Sequence, residues 1–198
     1  MPYSIRHLSL VSLQKKKYFL DANIWIKILK PPFSISPKDQ KYITFVESFK
    51  GHILNPKIVI PSLLLSEIIN RYLRDVSFPI FCSKNGIKRE PANFKQFYRT
   101  TTQYLSDYVS LCEDIKAYQN YFELIPDELT TTIKQKHILT NLPANIDFND
   151  HYYYLLAKNN GFTIVTDDGD YFVEDVDIIT QNNDLISRAK ALVKPISK

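Results

Sequence analysis

Three aspartates, Asp167, Asp168 and Asp170, follow directly on the apolar run 162–165 and its closing Thr166, in the stretch FTIVTDDGDYF. Asp and Gly both suit tight turns, so a turn is one reading of this stretch. Carboxylates at the end of a buried strand are also how proteins hold hard divalent cations. Other acids occupy comparable places: Asp21 ends the apolar run 18–20, and Asp150 falls in the first turn of a helix opened by Asp147. Glu67 lies about two turns into the helix that follows the run 57–60. Four such carboxylates gathered at one place could not all stay ionised without a compensating cation. Carboxylate-held Mg2+ or Mn2+ with bound water is equipment for in-line attack on a phosphodiester. Asn23 and Thr166 are of the types that hold such acids by hydrogen bonds. Each residue also has a bland reading. Asp21 and Asp150 could be helix caps, Asp167 to Asp170 a plain turn, and Glu67 a solvated surface charge.

The elements that must position these residues follow from hydrophobic patterning. Short apolar runs at 18–20, 57–60, 122–125, 162–165 and 176–179 read as strands, and the stretches between them carry helical spacing. Residues 38–50 place Tyr42, Phe45, Val46 and Phe49 on one helical face, and Pro61-Ser62 opens a helix with Ser62 as its cap. Residues 90–121 are long and helix-like, within an insertion of one or two helices, and Gly161 closes the helix that begins at Asp147. Strands alternating with helices predict an α/β fold: three layers, α/β/α, around a mostly parallel sheet of four or five short strands. The chain reads as one domain over 1–198 with a helical insertion at about 74–120. In parallel sheets ligands bind outside the carboxyl ends of the strands, where Asp21 and Asp168 both fall.

Composition removes several alternatives. Only 4 glycines are present, with neither a GxGxxG nor a GxxxxGK pattern, so a phosphate-cradling loop is not expected. Cys82 and Cys112 lack CxxC or histidine partners at zinc-site spacing. No run approaches the ~18 apolar residues of a membrane span, and the N-terminus has no signal-peptide core; a cytoplasmic protein with no membrane partner is expected. A phosphatase of the haloacid dehalogenase type needs a second acid two residues after the first, and Asn23 stands there. The glycine after Asp168 is out of register for a calcium-binding EF-hand loop.

Three blocks in order carry a resemblance: FLDANIWI (19–26), IPSLLLSEIIN (60–70) and NDHYYYLLAKNNGFTIVTDDGDYF (149–172). Together they resemble the PIN-domain nucleases, including the VapC-type ribonuclease toxins of toxin–antitoxin pairs. The resemblance implies a metal-dependent endoribonuclease that uses Mg2+ or Mn2+ and leaves a 5′-phosphate and a 3′-hydroxyl. It assigns Asp21, Glu67, Asp150 and Asp168 as catalytic and metal-binding acids, with Asn23, Thr166 and Asp170 as accessory residues. Asp170 is either an extra acid or a residue that fixes the loop, and Asp167 is the variable position between. A homodimer and an antitoxin partner are also implied. The region 70–140 is longer than in compact toxins of the family. The alternative is a catalytically silent PIN-like scaffold that binds RNA or a protein.

A second line comes from the basic residues. Arg71, Arg74, Lys84, Lys88, Arg89, Lys95 and Arg99 are interleaved with Tyr72, Phe78, Phe81, Phe94, Phe97 and Tyr98. Cations for phosphates and rings for unstacked bases suit single-stranded RNA. Arg71, Arg74, Lys88, Arg89, Lys95 and Arg99 are therefore candidate RNA-binding residues, although core packing is the better account of most of the rings.

Overall fold

The computed structural model describes residues 3–126 and 146–193. Six strands form one sheet: β1 (Ser4–His7), β2 (Lys17–Leu20), β3 (Lys57–Pro61), β4 (Phe122–Ile125), β5 (Thr163–Val165) and β6 (Asp177–Thr180). Their order is β1-β6-β5-β2-β3-β4, and every pairing is parallel. The central strands are buried along nearly their whole length, as IVI in β3 and TIV in β5 show. Continuous apolar runs of this kind belong to strands covered on both faces, here by helices in a three-layer α/β arrangement.

The expected sheet of four or five strands gains a sixth, because β1 has no apolar run. Its sequence SIRH is half-buried at every position. It is held at the edge by Ser4 and Arg6, whose side chains both donate to Asp177 of β6. An edge strand fixed by polar side chains leaves little hydrophobic signal.

The helices are α1 (Ala22–Leu29), α2 (Pro37–Glu47), α3 (Ser62–Tyr72), α4 (Phe78–Asn85), α5 (Pro91–Asn93), α6 (Thr102–Lys116), α7 (Phe148–Asn160) and α8 (Asn183–Val193). Ser36 and Asp39 start α2 with a reciprocal capping box. Pro61 is the cap position of α3 and Ser62 its first helical residue, which corrects the expected cap by one position. The stretch 90–121 is broken, not continuous. A wide turn, Phe94–Tyr98, follows α5, and Thr101 then caps α6 by accepting from the Tyr104 amide. Three threonines at 100–102 offer β-branched, cap-forming residues where a helix would have to continue, and the chain restarts there.

The core includes the fully buried Trp25, Tyr18, Tyr42, Tyr153 and Tyr171. A smaller cluster, Phe78, Cys82 and Tyr98, fills the helical region between α3 and α6. Phe94 and Tyr104 pack against both clusters. Both cysteines are free. Among the described residues no helix is long and apolar enough to cross a membrane.

The chain runs outward from β2 to β3 and β4 on one side, then returns to place β5 on the other side of β2. The carboxyl ends of β2 and β5, on either side of that reversal of direction, are where parallel sheets of this kind bind ligands.

Candidate active site

β2 and β5 are in register, with Leu20 beside Val165, so the residues that follow them leave the sheet side by side. The Asp21 amide donates to the Val165 carbonyl at 3.0 Å, and the Thr166 amide to the Ile179 carbonyl at 3.1 Å. These bonds continue the ladder by one residue. They bring the Thr166 hydroxyl to Asp21, where it donates to Oδ2 at 2.7 Å. Asn23, in the first turn of α1, also donates from its amide nitrogen to Asp21 Oδ2 and reaches Thr166 Oγ1 at 3.2 Å. Its carbonyl oxygen accepts from the Asp167 amide at 3.2 Å. Asn23 and Thr166 therefore hold Asp21 and the loop after β5 together. Asp21 occupies the N-cap position of α1, yet its side chain makes no cap bond. The capping explanation for Asp21 fails, because its carboxylate is taken up by Thr166 and Asn23.

Asp147, not Asp150, caps α7: its Oδ1 accepts from the Asp150 amide at 2.9 Å. That leaves the Asp150 carboxylate uncommitted, with no hydrogen bond among the described residues. Asp168 keeps a turn role as well, since its Oδ1 accepts from the Asp170 amide at 2.9 Å. Its own amide donates to Thr166 Oγ1 at 3.0 Å. Asp170 is exposed, and the part it plays here is the loop-fixing one, through its backbone.

Glu67 projects from α3. Oε2 accepts from the Tyr153 hydroxyl at 3.0 Å and from the Asn149 amide nitrogen at 3.3 Å, both on α7. Arg71, one turn on, pairs with Oε1 at 3.4 Å. Glu67 is thus not a solvated surface charge.

The electrostatics tie the four acids together. Burial pushes Asp21 up to about 6, against the Thr166 bond, and repulsion from Glu67 and Asp168 adds to it. Burial likewise pushes Asp150 up to about 8, helped by the charges of Asp21, Asp147, Asp168 and Glu67. Among the described residues the Arg71 cation lowers Asp21 in turn. The four acids come from four separate segments, and among the described residues Arg71, paired with Glu67, offsets only part of their charge.

The donor set suits a hard divalent cation. Asp21 Oδ1, Asp168 Oδ2 and the Asp150 carboxylate accept no hydrogen bond among the described residues. Among those residues, however, no group of three or more Asp, Glu, His or Cys side chains is set to hold an ion as it stands. Closing on a cation would require the acids to rotate, which the unengaged oxygens allow.

Asp167 is turned away from this cluster. Its carboxylate pairs with Lys38 at 2.7 Å and Lys27 at 3.1 Å, and accepts from the Tyr42 hydroxyl at 3.1 Å. Lys27 also pairs with the buried Asp39 at 3.0 Å. Burial alone would raise Asp39, but Lys27, Ser36 and Lys30 more than offset it and hold it at about 2.

Sequence reasoning did not identify the residues behind the acids. Tyr153 and Asn149 hold Glu67, and Tyr171, fully buried, donates to the Asp150 backbone oxygen at 3.1 Å. One signal existed: Asn149 and Tyr153 are four apart and share the helical face next to Asp150. His151 is buried and packs beside Tyr154, with ring centroids 6.1 Å apart.

The candidate RNA-binding residues scatter. Arg71 joins the acid cluster, Arg74 pairs with Asp75, and Lys88 pairs with Glu90. Arg89 and Lys95 share with Arg74 the rim of one pocket, and Arg99 is exposed outside it.

No protein-family model matches this chain, and no curated protein matches it. A solved structure, that of PAE2754 from Pyrobaculum aerophilum, aligns with 89% of this chain and 91% of its own at 14% identity and a TM-score of 0.44. That likeness is too remote to bear on activity.

Proposed function

We propose that the protein is a metal-dependent endoribonuclease that hydrolyses RNA phosphodiester bonds, acting as the toxin of a toxin–antitoxin pair. The observation that carries the nuclease reading is the convergence of Asp21, Glu67, Asp150 and Asp168 from four segments, their mutual repulsion raising Asp21 and Asp150 and only partly offset by Arg71. A protein with no cation to bind gains nothing from such an arrangement. RNA as substrate, an antitoxin partner and a homodimer are supported by the resemblance of the three sequence blocks.

In this reading Asp21, Asp150 and Asp168 hold Mg2+ or Mn2+, and Glu67 completes the site or orders a water. When bound, such an ion neutralises phosphate charge and makes water a stronger nucleophile. Thr166 and Asn23 orient the Asp21 carboxylate so that Oδ1 is left for the ligand. Tyr153 and Asn149 keep Glu67 aimed across the crevice from α3. Arg71 offsets part of the acidic field that would otherwise repel a polyanion.

The test is incubation of the protein with single-stranded RNA in EDTA, then in Mg2+ or Mn2+, beside Asp21→Asn and Asp150→Asn. Cleavage that needs metal, leaves 5′-phosphates and drops about 100-fold or more in both variants is expected. Folded protein that binds RNA but never cuts it in either metal would replace this reading with that of a non-cutting scaffold.

A further inference from the structure

Beyond the acid crevice, the chain after α3 builds a pocket of about 600 Å3, whose wall includes Asn70, Arg74, Arg89, Pro91, Phe94 and Lys95. Two acids, Asp75 and Glu90, also line it, but they are taken up by Arg74 and Lys88 at 3.4 and 2.7 Å. Arg89 and Lys95 form no ion pair among the described residues, so the pocket keeps two cations free for an anion. Phe94 is half-buried and held from behind by Phe78, whose ring meets it edge-on at 5.4 Å, and by Tyr98 at 5.6 Å. A rigid ring beside unpaired cations is the composition that binds one unstacked base and its phosphate.

The pocket is also aligned with the acids. Glu67, Arg71 and Arg74 follow one another at helical spacing on α3 and its continuation, Leu73–Ser77. Glu67 to Arg74 is seven residues, about 10 Å along a helix at ~1.5 Å per residue. That is the span of about three nucleotides at the ~3.4 Å rise of a stacked strand.

We infer that this pocket is a nucleotide subsite for single-stranded RNA, with Arg89 and Lys95 on a phosphate and Phe94 against a base, a few nucleotides from the bond that is cut. The inference deepens the nuclease reading and rests on it for the direction of the strand. A duplex, with its bases stacked inside, has nothing to offer Phe94.

Fluorescence anisotropy with a short labelled single-stranded RNA in EDTA tests it, using the full chain and the double variant Arg89→Gln/Lys95→Gln. Both residues are free of ion pairs, so the variant should fold, which melting by circular dichroism checks. Wild-type protein should bind the single strand more tightly than a duplex of the same sequence. The double variant should lose tenfold or more, with its salt slope lowered by about 0.7, one phosphate's worth. Phe94→Leu, which keeps an apolar side chain in the cluster, should lose about fivefold or more. Equal affinities for wild type and double variant, or no binding to RNA at all, would overturn the subsite. The activity arm separates the two readings. RNA bound through the pocket but never cut in metal leaves the subsite and removes the nuclease. RNA cut with an unchanged KM in the double variant leaves the nuclease and removes the subsite.

Discussion

Thr166 shows how much of the site hangs on one small side chain. Its hydroxyl donates to Asp21 Oδ2, and the same oxygen accepts from the Asp168 amide and the Asn23 amide nitrogen. It is fully buried, and Asp21 is buried beside it, so water does not readily replace the bond between them. Thr166→Val keeps the shape and removes the hydroxyl, leaving Asp21 with one donor fewer and the loop amide without its acceptor. Losing a hydrogen bond to a charged, buried group costs about 1.5–3 kcal/mol. In activity, loss of an orienting partner typically costs about 10–100-fold in metal affinity or rate. A titration of Mg2+ against cleavage should therefore move to higher concentration by that factor in Thr166→Val. An unshifted titration in a folded variant would mean that Thr166 serves only the strand.

At the scale of elements, α7 is fixed at both ends by residues whose types announce the job. Asp147 caps its start, and Gly161 ends it with φ at 66°. An added Cβ at Gly161 would meet no atom within 4 Å, so only the backbone conformation penalises a substitution there. Gly161→Ala should cost about 1–2 kcal/mol, and thermal melting should show a drop of about 2–4 °C for each kcal/mol. A melting point unchanged by the substitution would mean the chain can leave the left-handed conformation without loss. Caps and C-terminal glycines are local chemistry, which is why this helix was legible from the residues alone. The same holds for Asp21, Asp150 and Asp168, each next to a strand end or cap. Glu67 was legible from its place on the helix after β3 and from the block that resembles a known family, but nothing near it in sequence says that Tyr153 and Asn149 face it. The β1 edge and the break at 99–101 were hidden for a related reason. One depends on Asp177, 171 residues from Arg6, and the other on threonines that also fit a helix surface. Asp167, read as the variable position between, is claimed by Lys27, Lys38 and Tyr42 from two other helices, partners that its neighbours in sequence do not announce.

For the whole molecule, the acids make stability depend on pH in a direction opposite to that of most carboxylates. Asp21 and Asp150 are held up at about 6 and about 8. A carboxyl raised on folding binds more protons in the native than in the unfolded state, between about pH 4 and its folded value. Stability from this pair is thus undiminished below about pH 4 and falls as pH rises toward 8. Asp39, held at about 2, works the other way: it stabilises above about pH 4 and that share is lost as pH falls through 2. In EDTA, melting temperature should accordingly decline from about pH 5 to pH 8 and level off beyond. Asp150→Asn removes a charge the fold repels, so at pH 8 it should melt higher than wild type. Discounted for partial exposure, the gain is on the order of 1–3 kcal/mol, several degrees for a chain of this size. Under the proposed function Mg2+ would bind only the folded, ionised cluster, so its stabilisation, about 2.7 kcal/mol at a hundred times its Kd, should be larger at pH 8 than at pH 5. Asp150→Asn should lose most of it. A variant that melts lower than wild type at pH 8 in EDTA would show that the acids are compensated from within the protein. The crevice would then have no need of a cation, and its acids would be structural.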